Sequence, residues 1–244
     1  MRYHGSQCQR RGPTVQKELE VAIEKLTGES VRVHLASRTD AGVSALGQVA
    51  SFRSSKVLAL DKVLSGLNHY LPDDIAVQSV CRTPDTLDVR RHALSREYRY
   101  RIWNSPTPSP IEERQAYRVT GTLDAELMDQ AAKLLVGTQD MAAFATKLGK
   151  KPKSTVRTVY EASVIRNGRE IIFWMKAASF LPHQVRNTVG SLIRVGKGRM
   201  TLEEFRAQVA SGVPGSAGPA VPGRGLCLVR INYLQDLGDY DENL

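Results

Sequence analysis

Cysteine is scarce in this chain of 244 residues: there are three, Cys8, Cys81 and Cys227, far apart, with no C-x-x-C pair and no histidine at metal-ligand spacing. Neither a disulfide framework nor a structural zinc is expected, so the reading is a reducing, cytoplasmic compartment and no metal. Long apolar runs are absent as well. Ile171-Ile172-Phe173-Trp174-Met175, one of the longest, falls far short of the roughly 20 residues that a bilayer-spanning helix needs. No secretory signal pattern is expected at the N-terminus. Negative charge is in deficit, with 25 Asp and Glu against 34 Lys and Arg and a formal net charge of +9. That field suits a polyanionic partner, but many ordinary soluble proteins share it, so charge alone does not select nucleic acid. Exact internal repeats are missing too.

What is present is a series of punctuated elements. Thr14 precedes apolar Val15, Leu19, Ala22, Ile23 and Leu26 at helical spacing and Gly28 closes the run, which predicts a capped helix. Val31, Val33 and Leu35 alternate with polar residues and read as a strand feeding the loop from Ser37 to Val43. Gln48 to Phe52 reads as a return strand, and Leu60, Val63, Leu64, Leu67 and Leu71 trace a helical face stopped by Pro72. Strands are predicted over Ile75 to Cys81 and Glu97 to Trp103, the second with Tyr98, Tyr100 and Ile102 on one face and Arg99 and Arg101 on the other. Three prolines within residues 104–110 place a domain boundary there, giving halves 1–104 and 105–244. In the second half a helix is predicted from about Asp124 to Val136, with strands near Val156 to Ile165 and Glu170 to Ala177. A helix opens near Pro182, and Thr201-Leu202-Glu203-Glu204 matches a capping box. Gly212 to Gly225 reads as a loop and Leu226 to Tyr233 as the last strand. Antiparallel-looking strands mixed with helices, without strict alternation, define an α+β fold.

Several residues could carry chemistry. Asp40 lies two residues after Arg38 at a strand end, where a neighbouring guanidinium would hold its carboxylate ionised, as a nucleophile or base requires. Taken alone, the pair fits a turn-forming role better. Tyr98 and Tyr100 combine rings with cations as single-stranded RNA readers do, although an aromatic strand face is more often core. Arg186 sits about 100° off the apolar stripe Leu181, Val185, Val189 and Leu192, and on pattern alone it points to solvent rather than into a cleft. His183 reads as a surface or capping residue. Lys147, Lys150, Lys151, Lys153 and Arg157 surround Gly149 and Pro152 in a basic loop. Such a run is usually a solvated turn, and with an RNA partner it would contact phosphates.

Together these segments resemble the tRNA pseudouridine synthase A family, in the right order over nearly the whole chain. The family pattern G-R-T-D-A-G-V-H-A-x-G-Q-V is similar to Ser37 to Val49, and R-x-Y-x-Y to Arg96 to Tyr100. F-x-x-x-x-V-R-N-x-V-G-S-L is similar to Phe180 to Leu192, and G-L-x-L-V to Gly225 to Val229. Gly5, Gln7, Gln9 and Thr14-Val15-Gln16 are similar to the N-terminal G-W-Q-x-Q and T-V-Q elements. The resemblance implies that Asp40 is the catalytic aspartate, Tyr98 the ring packed on the target uracil and Arg186 the ion-pair partner of Asp40, with Arg38 and Leu226 completing the site. It implies two RNA-recognition-like (ferredoxin-like) halves in one continuous, mainly antiparallel sheet, with helices on one side and a basic cleft. A homodimer, no cofactor, and uridines at positions 38 to 40 of the tRNA anticodon stem-loop also follow from it. Ser37, Ser44 and Ser6 stand where the family has glycine, histidine and tryptophan, and Leu87 to Arg90 where it has F-H-A-R. The family opens with an apolar strand ahead of the G-W-Q element, so a truncated start, or loss of that element, is expected to leave an unpaired sheet edge.

The implied reaction is a redox-neutral isomerisation: the N-glycosidic bond breaks, and the uracil turns and rejoins through carbon once the base has left its stack. Asp40 would attack the sugar or the base, or act as a base at the sugar, and sequence leaves these routes open. Two rivals differ in outcome. A noncatalytic tRNA-binding protein or RNA chaperone binds tRNA without an Asp40-dependent product, and a protein-binding scaffold shows no salt-dependent tRNA binding.

Overall fold

The computed structural model describes residues 2–10, 12–146, 154–234 and 237. The chain divides into a first unit, Met1–Gly42 with Gly47–Leu94 and Ile231–Leu244, and a second unit, Val43–Leu46 with Ser95–Arg230. The proline-bearing residues 104–110 lie inside the second.

In the first unit, α1 (Val15–Thr27) starts where the Thr14 side chain accepts the Lys17 N–H and stops where Gly28, at φ 76°, turns left-handed. That conformation is open to glycine without a side-chain clash. α2 (Leu60–Tyr70) ends as Leu71 turns extended ahead of Pro72, which cannot continue a helix. β1 (His34–Leu35) pairs antiparallel with β3 (Ala50–Ser51), His34 opposite Ser51; β2 (Ser44–Ala45) lies between them in sequence and joins the sheet of the second unit. Ala22, Ile23, Val33, Leu67 and Leu71 form the core, with Phe52, Ile75 and Val77 packed against it. The predicted apolar faces therefore turn toward this core, most of their other residues being half-buried, but the strands are shorter than predicted. Residues 75–81 belong to no ladder, because alternation places side chains while only a neighbouring backbone makes a strand. At Val77 the side chain of Asn68 serves instead, accepting the N–H at 2.8 Å and donating to the carbonyl at 2.9 Å.

The second unit is built on β4 (Ser95–Asn104), β5 (Tyr117–Val119), β6 (Gly137–Asp140), β7 (Val156–Asn167), β8 (Glu170–Ala177) and β9 (Leu226–Asn232). The order is β2-β9-β4-β8-β7-β6, with β5 on β4. β4, β8, β7 and β6 run antiparallel in turn, while β2 on β9 and β5 on β4 are parallel. The fold is thus α+β with a mainly antiparallel sheet, as expected. The ladders of the described residues nevertheless form two sheets rather than one continuous sheet. Tyr100, Ile102, Phe173 and Met175 point to one face and are fully buried, each large side chain contributing roughly 1.5–3 kcal/mol. α3 (Ala125–Lys133), α4 (Gln184–Gly196) and α5 (Leu202–Ala210) complete the unit, α5 opening on the predicted capping box at Thr201 and Glu204. No helix among the described residues is long and apolar enough to cross a membrane.

Candidate active site

Asp40 sits in a loop braced from both sides. Gly5, at φ 103°, lies so close that a Cβ there would come within 2.8 Å of the Thr39 carbonyl, so the position demands glycine in space as well as in torsion. Ser6, 2% exposed, donates its N–H to that carbonyl at 3.0 Å, and its hydroxyl accepts the Thr39 N–H at 2.8 Å. On the other side Gln48 accepts the Ser37 N–H at 3.1 Å and donates to the Ser37 carbonyl at 2.7 Å. Ser6, where the resembled family has tryptophan, is thereby part of the brace. Asp40 is left half-buried in a fixed loop, and Gly42, at φ 78°, allows the chain to turn beyond it.

Arg38 leaves the same loop at the surface. Its guanidinium is held below the usual range, first by partial burial and then by the charge of Arg90. Two cations therefore share one region of the first unit. Arg90 is aimed by a local turn in which the Asp88 carboxylate accepts the N–H groups of Arg90 and Arg91 at 2.9 and 3.0 Å. Sequence reading gave Arg90 no role; the signal was the arginine at the end of Leu87 to Arg90.

In the second unit, Tyr98 is 6% exposed and meets Phe180 edge to face, ring centroids 5.0 Å apart at 81°. The aromatic face of β4 is thus core, with Tyr98 at its rim. Arg186, in the first turn of α4, donates from Nε to the Val221 carbonyl at 2.7 Å and is half-buried. The expectation that it points to solvent fails, because an acceptor outside its own helix, which periodicity does not reveal, draws it inward. Tyr100 fixes the next residue of the same strap, donating to the Pro222 carbonyl at 2.7 Å. A Cβ at Gly225 would lie 2.6 Å from the Tyr100 ring. The strap so held delivers Leu226, 6% exposed, into β9. Burial pushes the Tyr100 hydroxyl well above its usual range, while Arg186 and Arg224 pull the other way.

His183 precedes α4 at φ 61°, the one non-glycine residue with positive φ among those described. Its Nδ1 lies 2.5 Å from the Thr146 hydroxyl, and Asn187 donates to the Phe144 carbonyl at 2.7 Å. The start of α4, with Arg186, is thus tied to the stem of residues 142–146, a link that sequence reading missed. Lys147, Lys150, Lys151 and Lys153 lie outside the described residues. Asp40 and Arg38 belong to the first unit, and Tyr98, Arg186 and Leu226 to the second.

The braced aspartate loop, the aromatic strand rim and the inward arginine lie in the R-T-D-A-G-V, R-x-Y-x-Y and V-R-N segments. The profile described as tRNA pseudouridine synthase matches residues 2–90 and 131–234, and the chain belongs to that family. Three of its relatives bear the name tRNA pseudouridine synthase A. That of Rhodospirillum centenum is 43% identical over 230 residues, covering 94% of each chain. That of Roseiflexus sp. strain RS-1 is 42% identical over 236 residues, 95% of this chain and 86% of the relative. That of Geotalea uraniireducens is 37% identical over 231 residues, 95% and 94% of the two.

Proposed function

We propose that this protein converts uridine to pseudouridine at positions 38 to 40 of the tRNA anticodon stem-loop, as a cytoplasmic homodimer that needs no cofactor. Family membership supplies the coarser statement, an isomerase that makes pseudouridine in tRNA. The observation that supports placing the chemistry on Asp40 is the braced loop, which presents its carboxylate from a fixed backbone. Catalysis by a positioned group depends on such placement.

In this reading, half 1–104 supplies Asp40, Arg38 and Tyr98, and half 105–244 supplies Arg186 and Leu226. Arg186 keeps Asp40 ionised and oriented, as a paired guanidinium does. Tyr98 packs on the flipped uracil and offsets part of the unstacking cost of roughly a few kcal/mol. Lys150, Lys151 and Lys153 contact phosphates, giving affinity without reading sequence. Asp40 then attacks the sugar or base, or removes a sugar proton; the N-glycosidic bond breaks, the uracil rejoins the sugar through C5, the C5 proton leaves to solvent as N1 gains one, and the Asp40 carboxylate is regenerated.

The test is Asp40→Asn. The variant is expected to fold and bind tRNA but release no tritium from 5-tritiated uridine in tRNA, whereas Arg186→Ala loses about 10²-fold in turnover through misplacement. Full turnover by Asp40→Asn rejects the assignment. Binding by the unaltered protein with no Asp40-dependent product favours the noncatalytic tRNA-binding reading.

A further inference from the structure

Arg186 carries its side-chain N–H groups in one rigid plane, and the one on Nε is committed to the Val221 carbonyl at 2.7 Å. The Val221 N–H answers with a longer bond to the Arg186 carbonyl, at 3.5 Å, so residues 186 and 221 are paired in both directions. The direction in which the Nη edge faces is therefore set by where the Val221 carbonyl stands. Residues 220–222 belong to no helix or strand, so no ladder holds that carbonyl and its aim depends on side chains.

Two anchors hold the strap. The first is Tyr100, fully buried, whose hydroxyl donates to the Pro222 carbonyl at 2.7 Å. The Val221 and Pro222 carbonyls flank the proline ring, and its φ of −53° is locked by ring closure. The peptide that joins Val221 to Pro222 is planar, which leaves ψ as the one soft torsion between the two carbonyls. Holding the second carbonyl thus fixes the first to within a single rotation. Burial pushes the titration of the Tyr100 hydroxyl well above its usual range, so this anchor stays a donor at physiological pH.

The second anchor is Arg224. Its Nε donates to the Ala116 carbonyl at 3.2 Å, and its Nη2 lies 3.8 Å from the Glu113 carboxylate. Glu113 is held in turn by Arg118 at 3.0 Å and accepts the Ser109 N–H at 3.0 Å. The strap has no freedom to slide between the anchors: a Cβ at Gly225 would stand 2.9 Å from the Arg101 carbonyl. Any buried tyrosine hydroxyl needs an acceptor. What distinguishes this one is its place, one residue from the carbonyl that orients Arg186.

We propose that Tyr100 and Arg224 are positioning residues for the reaction: by holding the strap at both ends they aim the Val221 carbonyl, and through it the guanidinium plane of Arg186. The proposal rests on the reading of Arg186 as the partner of Asp40. Both residues act through Arg186 and not on the uridine.

The test is a double-mutant cycle read by tritium release from tRNA. Tyr100→Phe keeps the ring and removes the hydroxyl. With Arg186 in place it is expected to lower kcat about tenfold. KM for tRNA is expected to change by less than about twofold, the pattern of a contact that matters in the transition state. In the Arg186→Ala background it is expected to cost nothing further. Arg224→Gln, at a half-buried position, follows the same pattern with a smaller loss, and decides the matter if Tyr100→Phe does not fold. A second readout needs no substrate: solvent exchange of the Arg186 Nε–H, followed by nuclear magnetic resonance, is expected to quicken roughly tenfold in both variants. Phe205→Leu, a core change in α5 of the same unit, lowers the denaturant midpoint and is expected to leave exchange and turnover as they were. The proposal is overturned if Tyr100→Phe costs as much in the Arg186→Ala background as without it, if Phe205→Leu loses as much turnover, or if the Nε–H exchange does not move. Full turnover by Arg186→Ala with Tyr100 intact would instead reject the reading of Arg186 itself, and the proposal with it.

Discussion

Gly5 shows how a single position can govern a carboxylate far along the chain. Its φ of 103° and the 2.8 Å that would separate a Cβ from the Thr39 carbonyl leave room for no side chain. Gly5→Ala is expected to cost about 1–2 kcal/mol through the forced backbone and to displace Asp40 enough to lower kcat/KM about 10²-fold. Urea unfolding and tritium release read the two effects separately; wild-type turnover in a folded variant would detach the loop from catalysis. The family resemblance named Asp40, Arg38, Tyr98, Arg186 and Leu226 as candidates, because short motifs carry residue type and spacing. The contacts that hold Gly5 and Arg186 were not legible. Gly5 acts through a contact 34 residues away, and Arg186 turns toward a carbonyl 35 residues on. Neither distance leaves a mark in local periodicity.

Helices were read well and strands of the first unit poorly, and the reason is physical. Thr14, Gly28 and Thr201 mark helix ends with bonds to nearby backbone, so the signal is local. β1 and β3 keep only two residues each, since ladder length depends on a neighbour that alternation cannot supply. The N-terminal segment is tied instead by Tyr3, whose hydroxyl is pushed up to about 12, first by burial and then by its bond to Asp74. A hydroxyl with a raised folded value favours the folded state fully below its unfolded value near 10, and that contribution is lost as pH rises to about 12. Stability is expected to fall between those values in the natural protein, and less so in Tyr3→Phe, as followed by denaturant midpoints. Identical alkaline losses would remove Tyr3 from the linkage.

The whole molecule carries a net charge of +9, and the lysines of residues 147–153 add a local concentration of it. Replacing Lys150, Lys151 and Lys153 by alanine is expected to weaken tRNA binding and to flatten log K against log salt by up to roughly 2.1–2.7 units of slope, since each phosphate left without its lysine removes roughly 0.7–0.9. An unchanged slope would remove those residues from the interface. The order of manufacture adds a consequence. The bonds that Ser6 and Gln48 make to the Asp40 loop all lie within residues 6–48, so these braces are synthesised long before the codon for Arg186 is read.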